Sequence, residues 1–93
     1  MKSPYNDNNG VPIFENDKII GRTNFDEVQA VVLFNANGKY ANENYLLDKW
    51  LIKIVKTKKD GIWIDGYDYF LFLDYHIDEN NNCIYYQKIN EFE

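Results

Sequence analysis

The amino-acid sequence predicts an α+β fold: one small domain in which an antiparallel β-sheet is covered by one or two helices. The sheet is expected to combine an N-terminal hairpin with a C-terminal meander. Residues 69–77 alternate with strand period, residues 46–55 place apolar side chains on one helical stripe, and residues 24–38 carry helix-capping signals at both ends. A chain of 93 residues has room for one core, so we expect a single domain spanning residues 1–93. An all-β barrel is the alternative.

The N-terminal hairpin is predicted from Val11 to Arg22. Two apolar pairs flank Asn16-Asp17, a dipeptide that tolerates positive φ and therefore suits a tight turn. Pro12 should lie at the start of the hairpin, because proline cannot donate a hydrogen bond to a strand ladder. Residues 1–10, which are rich in asparagine, are expected to be a flexible terminus.

Helices are predicted between Asn24 and about residue 58. Asn24 precedes Glu27 by three residues, the spacing of a capping box, and Gly38 suits a left-handed C-cap. Residues 30–34, AVVLF, fit a buried strand equally well. The second segment has a helical stripe of Leu46, Leu47, Trp50, Leu51, Ile54 and Val55, yet residues 53–64, KIVKTKKDGIWI, also form a persuasive hairpin sequence. If both segments are strands, the all-β alternative gains.

The C-terminal third is predicted to be an antiparallel pair whose loop is residues 79–82. In that register Asp78 faces Cys83, and one face of the pair displays Asp74, His76, Asp78 and Cys83. Imidazole, thiolate and carboxylate are zinc ligands, so His76, Asp78 and Cys83 form a candidate metal site. A solvent-facing surface is the favoured interpretation, because zinc sites usually bring two close ligand pairs and this sequence brings none.

Catalysis is not predicted. The sequence has no Gly-rich phosphate loop, no G-x-S-x-G and no H-E-x-x-H, and in the predicted hairpin the only histidine and the only cysteine lie diagonally rather than side by side. Asp65 and Asp68 flank a glycine in an aromatic turn, where solvated carboxylates are ordinary. We therefore expect a protein without catalytic residues and without a cofactor.

Charge is segregated along the chain. The net charge is −5, residues 49–59 contain five lysines and no carboxylate, and the last third is acidic and rich in aromatic residues. An acidic chain is poorly suited to a nucleic-acid backbone and well suited to a basic protein. The residues expected to bind such a partner are Asp65, Asp68, Tyr69, Asp74, Asp78 and Glu79.

These features favour a non-catalytic binding protein that blocks a basic macromolecular partner, as the DNA-mimicking inhibitors of phages and mobile elements do. Its partner would be a nucleic-acid enzyme, a defence protein or a toxin; in the last case the protein would be an immunity protein. A metal-binding domain that uses the face of His76 and Cys83 is a further alternative, and exposed aromatics such as Phe70 leave a homodimer open. One cysteine and no apolar run long enough for a signal or a membrane span predict a cytoplasmic protein.

Overall fold

The computed structural model describes residues 1–22, 27–59, 62–65 and 70–92. In these ranges the chain consists of strands, turns and two single turns of 3-10 helix at Ala36–Gly38 and Asn44–Leu46, and no helix is long and apolar enough to cross a bilayer. The fold is therefore mainly β, and the α+β prediction with covering helices is wrong. The strands are β1 (Lys2–Asn6), β2 (Pro12–Phe14), β3 (Lys18–Arg22), β4 (Glu27–Phe34), β5 (Trp50–Lys59), β6 (Ile62–Asp65), β7 (Phe70–Phe72) and β8 (Tyr86–Ile89).

The strands form two antiparallel sheets. β1 and β2 pair as a small two-stranded sheet. The large sheet has the order β6-β5-β4-β3-β8. Strand β7 also pairs with β5, at residues 51–53, whereas β6 pairs with residues 56–59 of the same strand. The all-β part of the alternative prediction is therefore right. Its barrel part is not, because the pairings of the described strands leave β6 and β8 at opposite ends of an open sheet.

Strand β4 replaces the first predicted helix. It pairs with β3 on one side and with β5 on the other, and it is buried on both faces: Val28 and Ala30 lie on one face, Gln29 and Leu33 on the other. A strand covered on both faces has a nearly continuous apolar run, so its sequence lacks the alternation that distinguishes strand from helix. Asn24, the predicted cap, lies outside the described residues.

Strand β5 replaces the second predicted helix, and the competing hairpin interpretation is confirmed by its pairing with β6. Asp48 has φ 55°, which ends any helical path before Trp50. Gln29 pairs with Lys56 whereas Ala30 pairs with Ile54, so one extra residue of β5 forms a bulge. Before the bulge both faces of β5 carry buried apolar residues, Leu51 on one and Ile52 and Ile54 on the other, so the apolar spacing does not alternate and resembles that of a helix.

The predicted N-terminal hairpin has the expected turn but different partners. Asn16 has φ 73°, yet β2 pairs with β1, and β3 pairs with β4 and β8. The turn connects the two sheets, because Asn16 N–H donates to Val32 O and Val32 N–H donates to Asp17 O. Strand β1 lies within the segment that we expected to be flexible.

The core lies between the inner face of the large sheet and a cover made of the small sheet and residues 73–85. Ile13 belongs to the small sheet, and Leu73 and Cys83 belong to the C-terminal part of the cover; all three are fully buried. The sheet contributes Ile19, Val28, Ala30, Val32, Ile52, Ile54 and Tyr86.

Candidate functional site

The segment that follows β7 folds as a series of turns. Residues 73–76 are turns, and the expected strand over residues 69–77 ends at Phe72, so its continuation is wrong. Asp78 then closes a tight loop: its Oδ1 accepts the backbone N–H of Asn80 at 2.8 Å and that of Asn82 at 2.9 Å. Asn81 takes φ 61°, which asparagine tolerates. Strand β8 comes later and pairs with β3, not with β7.

The pairing across this loop differs by one residue from the predicted register. Ile77, rather than Asp78, lies opposite Cys83, and Ile84 N–H donates to His76 O. A shift of one residue moves every side chain to the other face of a strand pair. Cys83 therefore points into the core, where it is fully buried and its Sγ donates to Leu73 O at 3.5 Å.

The three candidate metal ligands are consequently not brought together. Burial, with the negative charge of Asp74, raises the pKa of the Cys83 thiol to about 12, so the thiolate that would bind a metal is disfavoured. The His76 ring contacts the rings of Tyr75 and Tyr85, with centroid separations of 4.2 Å and 5.0 Å. Across the ranges that the structure describes, no three His, Cys, Asp or Glu side chains are close enough to hold a metal ion. These residues do not fit a metal centre.

The described members of the predicted partner-binding set lie in two places, the turns after β7 and strand β6. Asp74 is exposed and accepts a hydrogen bond from the Tyr5 hydroxyl at 3.1 Å, and Glu79 is exposed in the turn after Asp78. The backbone of Asp65 belongs to β6 and pairs with Lys56. Asp68 and Tyr69 lie outside the described residues.

A cavity of about 600 Å³ opens beside β7, and we call it the aromatic groove. Tyr45 and Tyr75 expose 68% and 72% of their surface, so both rings are available to a partner. The Tyr45 ring stands edge-on to Phe72, with their centroids 6.5 Å apart. The groove is lined by Tyr45, Leu46, Phe70, Leu71, Phe72, Tyr75, His76, Tyr85 and Tyr86.

The groove residues come from two acidic stretches of chain, residues 40–48 and 71–87, which we call the acidic segments. The acidic segments contain no lysine and no arginine. Among the described residues, Phe70 is the one residue of the groove lining outside these segments. It immediately precedes the second segment, and its partner in β5 is Lys53. The carboxylates of the acidic segments are Glu43, Asp48, Asp74, Asp78 and Glu79.

Asn35 holds the loop that brings Tyr45 to the groove. Its buried side-chain amide donates to Ala41 O at 2.6 Å and to Leu46 O at 2.8 Å, and its Oδ1 accepts the N–H groups of Tyr40 and Ala41. All the capacity of the amide group is therefore used to fold residues 36–49.

Sequence reasoning named Asp74, Asp78 and Glu79, which belong to the second acidic segment, but it did not single out Tyr45 or Tyr75 as binding residues. The available signal was the presence of tyrosines in otherwise polar stretches such as NENYLLD and DYHID. Tyrosine is amphipathic and common in both cores and interfaces, so its position along the chain did not distinguish the two.

No protein-family model matches the chain, and neither a curated protein nor a solved structure gives a significant match.

Proposed function

We propose that the protein is a small, non-catalytic binding protein that uses the aromatic groove to bind and block a basic macromolecular partner. The observation that carries this proposal is the juxtaposition of exposed tyrosine rings with acidic segments that contain no lysine and no arginine. The single, buried cysteine is compatible with the reducing cytoplasm, where we propose that the protein acts.

The aromatic side chains account for affinity. Tyrosine is enriched among the residues that dominate binding energy, because it contributes a large contact area with few rotatable bonds and also carries a hydroxyl group. Tyr45 and Tyr75 belong to different loops, and both line the groove. A volume of about 600 Å³ admits several side chains of a partner rather than one.

The carboxylates account for the choice of partner. Glu43 and Glu79 are exposed, and each lies a few residues from a tyrosine that lines the groove. Such charges attract a basic surface, increase its association rate and repel acidic proteins and nucleic acids.

The test is capture of partners from a lysate of the source cell with the tagged protein, followed by mass spectrometry and a salt titration with the purified partner. We expect a basic protein whose affinity falls steeply as ionic strength rises. The double variant Glu43→Gln, Glu79→Gln should bind it more weakly, and Glu91→Gln, which lies outside the acidic segments, is the matched control.

A partner that is acidic, or one whose affinity is indifferent to salt and to the double variant, would overturn the electrostatic basis of the proposal. Enzymatic turnover of a captured protein would overturn the assignment of a purely blocking role.

A further inference from the structure

The two sides of the large sheet differ in how their backbone is covered. At β8, Asn8 N–H donates to Tyr86 O at 2.7 Å, and the Asp7 carboxylate accepts Lys88 N–H at 3.0 Å. These bonds occupy the outer edge of β8 with residues of the chain itself. β7 lies at the other side of the sheet, where it pairs with β5.

The pairing of β7 determines which of its backbone groups point outward. Leu73 N–H donates to Trp50 O, so by the alternation of an antiparallel ladder the groups of Leu71 point toward β5 and those of Phe70 and Phe72 point away from it. Phe72 O accepts Tyr75 N–H at 3.4 Å. Within the described part of the chain, no hydrogen bond occupies the outward N–H and C=O of Phe70 or the N–H of Phe72.

Strand β7 carries none of the side chains that usually protect an edge. Exposed edges are commonly protected by lysine, proline or a covering loop, because unpaired backbone groups recruit other strands. The sequence of β7 is Phe-Leu-Phe, without charge or proline, and all three residues line the aromatic groove. Among the described residues, the groove therefore runs along a strand edge that has unpaired backbone groups.

We propose that the aromatic groove receives an extended, basic segment of the partner, which adds to the sheet as a strand beside β7. This inference rests on the proposed function and specifies how the partner is bound. Backbone hydrogen bonds to Phe70 and Phe72 supply affinity that is independent of sequence, and side chains that alternate along the added strand supply specificity.

The groove offers two pairs of rings to the side chains of the added strand: Tyr45 with Phe72, and His76 with Tyr85. Lysine and arginine suit both pairs, since a cation packs on an aromatic ring and its charge is attracted by the carboxylates of the acidic segments.

The experiment is selection from a phage-displayed library of random peptides of about twelve residues, long enough for one added strand. We expect selected peptides to contain lysine or arginine interspersed with β-branched or aromatic residues and to lack proline at their centre. The strongest peptide is then synthesised with single backbone N-methyl groups at successive positions.

A strand beside β7 predicts an alternating result at the centre of this N-methyl series. Methylation of the N–H group that donates to Phe70 O should weaken binding about tenfold or more, and methylation of the N–H groups on either side of it, which point away from β7, should change it about threefold or less. Tyr75→Ala should weaken binding, whereas Tyr40→Ala, at a tyrosine outside the groove, should not.

The outcomes separate the two proposals. Basic, salt-sensitive peptides that lose affinity in Tyr75→Ala without any alternation in the N-methyl series overturn strand addition and leave the proposed function standing. Selected peptides with proline at their centre would likewise overturn strand addition and leave the proposed function standing. Selection of no peptide that depends on the groove overturns strand addition, and selection of acidic or salt-indifferent peptides at the groove counts against both proposals.

Discussion

The ring of Tyr86 occupies the space in which a side chain at position 21 would stand. Gly21 and Tyr86 are paired residues of β3 and β8, and a β-carbon on Gly21 would lie 2.6 Å from Tyr86 Cε1 and 2.9 Å from Tyr85 O. Tyr86 is thereby held with only 7% of its surface exposed, beside the groove that it helps to line.

Gly21→Ala should destabilise the protein by about 1–3 kcal/mol, because the added methyl group must displace a packed ring and a strand backbone. Urea denaturation measures this loss. In a double-mutant cycle, Tyr86→Ala should cost less in the Gly21→Ala background than in the wild type, since the ring is the main obstacle. Equal costs in both backgrounds would contradict the steric explanation.

Asn35→Ala should destabilise the protein by about 2–4 kcal/mol, because it removes four hydrogen bonds and leaves buried backbone groups unpaired. Hydrogen exchange should show faster exchange in residues 36–49, and partner binding should weaken as Tyr45 loses its position. Asn42→Ala, at an exposed position in the same loop, is the control and should change stability little. Unchanged exchange in this loop would refute the role of Asn35 as its anchor.

Gln29→Met should stabilise the protein by about 1 kcal/mol. Gln29 is fully buried, and neither atom of its amide head group has a hydrogen-bond partner in the parts of the chain described. Replacement of an unsatisfied polar group by an apolar one of similar length removes a desolvation cost. Gln87→Met is a matched control, because Gln87 is an exposed glutamine on the same face of the sheet. A marked loss of stability in Gln29→Met would show that the amide has a partner in solution.

Because of Cys83, the free energy of unfolding should decrease as the pH becomes alkaline. The folded protein raises the thiol pKa from 9.0 to about 12, so above about pH 9 the unfolded state binds fewer protons than the folded state. The thiol therefore stabilises the fold fully below pH 9, and this contribution declines toward pH 12 by at most about 1.4 kcal/mol per pH unit.

The measurement is the free energy of unfolding of wild type and Cys83→Ala between about pH 8 and pH 11, with reductant present. The pKa of Tyr5 is also raised, by burial and by Asp74, so both proteins are compared in a Tyr5→Phe background. The stability difference between them should shrink as pH rises. A constant difference would show that Cys83 does not retain its proton in the folded state.

Local sequence determined the turns and the composition of this protein. Asn16 takes the positive φ predicted for a tight turn, and Lys59 and Ile62, which flank the predicted Asp60-Gly61 turn, pair as the ends of two strands. These features depend on the conformational freedom of a few residues, so they can be recognised without knowledge of the rest of the chain.

The choice between helix and strand was decided by tertiary structure. Residues 28–34 have apolar side chains on both sides of the backbone, and only their burial between β3 and β5 makes the strand preferable to a helix. Likewise, β1 binds the C-terminal loop in its observed register, because Asn6 N–H donates to Asn81 O and Cys83 N–H donates to Asn6 O. The observed register, one residue from the predicted one, places Cys83 in the core rather than on the same face as His76.

The aromatic groove also depends on tertiary structure. Tyr45 and Tyr75 are separated by 30 positions in the sequence, and they meet because Asn35 folds one loop and the end of β7 begins the other. The amino-acid composition alone specifies an acidic, tyrosine-rich chain. Long-range pairing decides which tyrosines face solvent, because burial depends on what covers each face and not on the residue alone.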